Sequence, residues 1–147
     1  MAATISAYNH ALKKFLNKET DYSTLKVMLL NNSASFTAGN TQLTQVTNAG
    51  AHEVSGNGWT AGGETLANVS ITVVNTNGAM IDADDVEVAA SGGAIGPAYK
   101  AVIYDDTDAD DSPLFFIDFG EAKQADEGTP FKIAINASGV MRVNWAS

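Results

Sequence analysis

Cysteine is missing from all 147 residues, which excludes disulfides, thiolate metal sites and cysteine nucleophiles. Proline occurs only three times, and eight Lys and Arg stand against 17 Asp and Glu. The formal charge of -9 and the pI of about 4.4 argue against binding a phosphate backbone, which needs clustered cations, so no nucleic-acid partner is expected. No apolar run approaches the ~20 residues of a membrane-spanning helix. The longest, residues 98–104 and 114–117, are short, and Lys100 interrupts the first. The N-terminal stretch MAATISAYNHALKKFLNKE has no basic segment ahead of an apolar core, so neither a secretory leader nor a membrane partner is expected. The patterns GxSxG, HExxH and GxxxxGK[ST] do not occur.

What remains is an acidic chain of 15.3 kDa with 45% hydrophobic residues, enough to fill the core of one domain spanning residues 1–147. One segment has helical periodicity. Ile5, Tyr8, Leu12, Phe15 and Leu16 fall on one face and predict a helix over residues 5–16, with Thr4 as N-cap and Asn17 at its end. Lys13, Lys14 and Lys18 sit where they complement the helix dipole. Beyond it the period falls to two. Residues 24–30 (TLKVMLL) predict a strand with Leu25, Val27 and Leu29 on one side, and residues 68–74 one with Val69, Ile71 and Val73 facing inward. Asn75 to Gly78 is a turn signal, and residues 79–81 and 86–88 continue as short strands of a meander. Residues 98–105 (AYKAVIYD), apolar on both faces, predict a central strand, followed by one over 114–119 (LFFIDF). Residues 131–135 and 141–145 alternate around a turn at 137–139 and predict a C-terminal hairpin. Residues 31–50, 56–63, 89–97 and 122–130 are loop-like. The expected fold is mainly β: an antiparallel β-sandwich or jelly-roll-like domain with one N-terminal α-helix.

Few constellations could carry chemistry. His10 and His52 are the only histidines, and rim positions explain them better than a metal site. Asp106, Asp108 and Asp110 have the spacing that opens an EF-hand. The pattern then fails, with Asp111 where glycine is needed and Ile117 where a bidentate Glu is needed. Another calcium geometry stays open for residues 105–111, beside a plain solvated loop. Residues 82–85 (DADD) read as a turn in which Asp caps backbone N–H groups. Gly56, Gly58 and Gly62 lack the following helix of a dinucleotide fingerprint and read as backbone bends beside Trp59. No catalytic residue, cofactor or metal is expected.

The segments YNHALKKFLNKE, TLKVMLL, HEVSGNGWTAGGETLANVSITV, IDADDVEVAA, AYKAVIYDD and SPLFFIDFG follow one another in one order. In this the chain resembles, over nearly its whole length, a family of small virion structural proteins encoded by tailed bacteriophages. The most specific parts are residues 53–63 (EVSGNGWTAGG), residues 82–86 (DADDV) and AVIYDD with PLFFIDFG. The resemblance implies a non-enzymatic, β-rich protein made in the host cytoplasm and carried on the virion, as a decoration or cement protein on the capsid. A tail or fibre protein attaching to host carbohydrate is the alternative. The expected partners are the major capsid protein and further copies of the chain in a small homo-oligomer. The candidate contact residues are Tyr8, Leu12 and Phe15 on the helix and Trp59 in the glycine loop, each of which also reads as an ordinary core residue.

Overall fold

The structure is a computed structural model and describes residues 3–74 and 78–144. In chain order its elements are β1 (Thr4–Ala7), α1 (Asn9–Asn17), β2 (Leu25–Leu30), α2 (Leu43–Thr47), β3 (Glu53–Val54), β4 (Glu64–Thr65), β5 (Ser70–Val73), β6 (Gly78–Asp82), β7 (Val86–Ala89), β8 (Ile95–Asp105), β9 (Pro113–Ala125), β10 (Pro130–Ile133) and β11 (Met141–Asn144). The fold is mainly β, every sheet is antiparallel, and an α-helix lies near the N-terminus, as the sequence predicts.

The main sheet runs β1-β9-β8-β2, and β3 and β4 share the outer side of β2. Its centre is the β8–β9 pair, where Leu114 to Ile117 and Ala101 to Asp105 are buried on both faces. Adjacent strand residues point to opposite faces. Phe15 of α1 stacks on Phe115 at 5.7 Å, while Phe36 lies 6.0 Å from Phe116, so each face is covered by a different segment. A two-stranded sheet, β7–β10, and a three-stranded one, β5–β6–β11, complete the domain.

Several expectations are corrected. The predicted helix over residues 5–16 splits in two. Thr4–Ala7 pairs with β9, Ile5 opposite Ile117, and α1 begins only at Asn9, with Tyr8 rather than Thr4 at the N-cap position. Ile5 fits either period, and a β-branched Thr-Ile pair beside an open sheet edge gains ladder hydrogen bonds that a frayed first turn would leave to water. Moving the start rotates the helix. Its buried residues are Ala11 and Lys14, behind a buried Tyr8, while Leu12 and Leu16 face outward.

β5 is exposed along its length, so Ile71 and Val73 stay uncovered although they share a sheet face with buried Ile81, whereas Val69, just before the strand, packs against the core. The meander stops at β6, because β7 pairs with β10 and β6 with β11. For the same reason the last two strands form no C-terminal hairpin with each other. The segment over residues 31–50 contains α2, whose Gln42 and Gln45 cap each other reciprocally over buried Leu43 and Val46. The predicted turn residues Asn75, Thr76 and Asn77, and Trp145 of the last strand, lie outside the described residues.

The glycine loop behaves as expected. Gly56, Gly58 and Gly62 all have positive φ, and a Cβ on Gly58 would sit on the Ala89 carbonyl. This lets Gly56 and Trp59 close an isolated bridge that folds the indole inward.

Candidate functional site

The acidic segment after β8 is built inward. Asp105 is fully buried. Its carboxylate accepts from Asp21 N–H at 3.1 Å, Thr107 N–H at 3.1 Å, Thr107 Oγ1 at 2.6 Å and Lys14 Nζ at 3.4 Å. Asp108 accepts from Lys14, from Ser112 Oγ at 2.7 Å and from Asp110 N–H at 2.8 Å. Burial pushes the Asp108 carboxyl up. The hydrogen bonds from Lys14, Ser112 and Asp110 and the Lys14 charge outweigh it and hold the group at about 2. Burial likewise works against the Lys14 charge, and the hydrogen bond and charge of Asp108, with those of Asp105, win and raise its pKa. Asp111 is raised, first by burial and then by Asp106 and Asp108.

An ammonium therefore stands between Asp105 and Asp108 and contacts both. Asp106 turns to Lys26 at 2.8 Å, and Asp110 accepts from Gln42 at 2.8 Å. Among the described residues, no group of three His, Asp or Glu side chains is arranged to hold a metal ion. The segment is an electrostatic clamp: Lys14 fastens α1 to the end of β8, and Asp110 fastens the segment before α2. Position near the helix end accounts for Lys14 by the dipole alone and misses this role. The signal that points to it is spacing: Lys14 lies three residues after Ala11 and six after Tyr8, on the face that packs.

The DADD turn is capped as its composition predicts. Asp82 accepts from Ala83 N–H at 2.9 Å, Asp84 from Asn68 at 2.7 Å, and Asp85 from Ile135 N–H at 2.8 Å and Lys132 at 2.9 Å. His52 places Nδ1 3.2 Å from the Val46 carbonyl oxygen, and His10 stays half-buried on α1.

The four candidate contact residues are not brought together. Tyr8 and Trp59 are core residues with 0% and 2% exposure, Tyr8 against Phe36 at 4.9 Å and Trp59 edge-on to Phe131 at 5.5 Å. Neither is available to a partner on this surface. Phe15 is half-buried between Tyr22 and Phe115, and Leu12 is exposed.

Other apolar side chains stand outside instead. Leu16 on α1 is 85% exposed, and on the small sheet Ile71, Val73 and Val143 are 53%, 81% and 49% exposed. The register places Ile71 with Ile81 and Met141, and Val73 with Ala79 and Val143, on one face of that sheet. A hollow of about 190 Å³ separates this face from Phe15 and Tyr22. A larger groove of about 440 Å³, lined by Ile5, Ile117, Phe119, Phe131, Ile133 and Val140, runs between β1–β9 and β10. Nothing in the sequence pattern separates these outward residues from core ones, because β5 and β11 alternate as half-buried strands do.

Compared with family models, with characterised proteins and with solved structures, the chain matches none.

Proposed function

We propose that the chain is a structural protein of a tailed-bacteriophage virion, acting as a capsid decoration or cement protein that binds across subunits of the major capsid protein as a small homo-oligomer. It makes and breaks no bond. The observation that carries this reading is the surface: Leu12, Leu16, Ile71, Val73 and Val143 stand outside the core of a clamped β body. A protein that reinforces a lattice works by summed contact area, repeated in many copies, and needs such adhesive side chains on a rigid frame. The acidic groups that could have served hydrolysis or ion binding are instead engaged by Lys14, Lys26, Lys132 and backbone N–H groups. The sequence resemblance supplies the virion, and these features are compatible with it.

Adding purified protein to capsids that lack it tests the proposal. Their melting temperature rises on binding. Binding to isolated tails, with none to heads, moves the protein to the tail or fibre alternative. The carbohydrate form of that alternative loses its stacking platform, since Trp59 is buried. Turnover of any glycan by the purified chain would overturn both.

A further inference from the structure

We infer that the chain forms a two-fold symmetric dimer in which β5 of one copy pairs antiparallel with β5 of the other, centred on Thr72. The inference deepens the oligomer in the proposal above and rests on nothing said there about head or tail.

The backbone phase comes first. Val74 N–H donates to the Gly78 carbonyl at 2.8 Å, and the register sets Val73 opposite Ala79 and Ile71 opposite Ile81. Hydrogen bonding in an antiparallel pair recurs at every second residue, so Ser70, Thr72 and Val74 turn their backbone groups toward β6. Ile71 and Val73 turn theirs to the outer side, where β5 pairs with no other strand among the described residues. An edge of this kind is a template for another strand.

A second copy fits it in register. Rotation about Thr72 sets Ile71 opposite Val73 of the second copy, and both are residues whose N–H and C=O face outward. Each such pair exchanges two hydrogen bonds, and symmetry supplies the other pair. The side chains agree. Ile71 and Val73 point to one face, which carries Ala79, Ile81, Met141 and Val143, so pairing joins two apolar faces into one continuous strip. The self-complementary contact closes after two copies.

Charge favours the same occupant. Each chain carries -9, and two copies repel wherever their acids meet. The small sheet carries only Asp82 and Arg142, which cancel, and β5 has no charged residue. The usual edge protections of Lys, Pro or an inward charge are absent from β5, whereas Pro130 and Lys132 mark β10 and Glu87 marks β7. A four-residue strand pair is a small contact beside the ~800 Å² per partner of a standard interface, so the dimer is expected to be weak and reversible.

Sedimentation equilibrium of the full chain from micromolar to roughly millimolar concentration tests this. The expected result is a reversible shift from 15.3 kDa to twice that mass. Val73→Pro removes only an outward N–H, so it abolishes the shift and leaves the circular dichroism and melting temperature of the monomer unchanged. Val73→Lys abolishes it through charge. A chain that stays monomeric throughout overturns the inference. So does a dimer that tolerates both substitutions, which would place the contact elsewhere. Neither result touches the capsid-binding test.

Discussion

Lys14 is the residue on which the architecture of the acidic end turns. Its ammonium and the Asp105 carboxylate are almost wholly shielded from water, and removing one partner of a buried pair leaves the other charge uncompensated. Lys14→Met therefore lowers stability by about 3–5 kcal/mol in urea denaturation, although it adds an apolar side chain at a buried position. Adding Asp108→Asn to the Lys14→Met variant removes one uncompensated charge and recovers part of the loss. Asp105→Asn does not, because the Asp21 and Thr107 N–H groups lose an anionic acceptor.

The same cluster sets the acid limit. Asp108 has a folded pKa of about 2, below the ordinary aspartate value, so its contribution is complete above about pH 4 and disappears as the pH falls through 2. For Lys14 the sign is reversed. Its pKa is raised, so its contribution is complete below the ordinary lysine value and is lost as the pH climbs past the folded one. Urea midpoints measured between pH 5 and pH 2 fall for the native chain. They fall less steeply for Asp108→Asn, and equal slopes would remove Asp108 from the account.

At the scale of elements, α1 sorts its residues by the strand that precedes it. Because β1 ends at Ala7, the helix is rotated so that Tyr8, Ala11 and Lys14 face the body. Leu12→Ser and Leu16→Ser are expected to change stability by no more than about 0.5 kcal/mol, while Tyr8→Ala costs about 3–5 kcal/mol, like other buried aromatics. Trp59→Ala belongs with Tyr8. A thermal or urea series over these four variants separates this helix from one running over residues 5–16, in which Leu12 would be the costly position.

The middle of the main sheet was legible because β2 alternates apolar residues and residues 98–104 of β8 and 114–119 of β9 are apolar on both faces apart from Lys100 and Asp118, while the far ends of β8 and β9, residues 95–97 and 122–125, are strand where the composition reads as loop. Pairing was not legible. Residues 131–135 and 141–145 satisfy every local condition for a hairpin, yet β7 pairs with Pro130–Ile133 and β6 with Met141–Asn144, and only long-range packing decides between the two. The clamp was hidden for the same reason: Lys14 and Asp108 lie 94 residues apart, and each has an adequate local explanation.

For the whole molecule, the sign of the salt response separates two ways in which an acidic chain can associate. A domain of this length has a radius of gyration of about 15 Å, so two paired bodies hold their charges some tens of ångströms apart. At about 0.01 M salt the Debye length is ~30 Å and two chains of -9 feel each other across that span; at about 1 M it is ~3 Å and they do not. An edge contact that is itself uncharged loses nothing to screening, while the repulsion behind it vanishes. The β5 dimer therefore tightens as sodium chloride rises. A contact that lays Lys13 and Lys18 of one copy on the acidic surface of another relies on attraction and weakens over the same range. Sedimentation at both salts decides the matter: tighter association in high salt, abolished by Val73→Pro, places the joint on β5, whereas association that salt dissolves assigns it to the helix and its lysines.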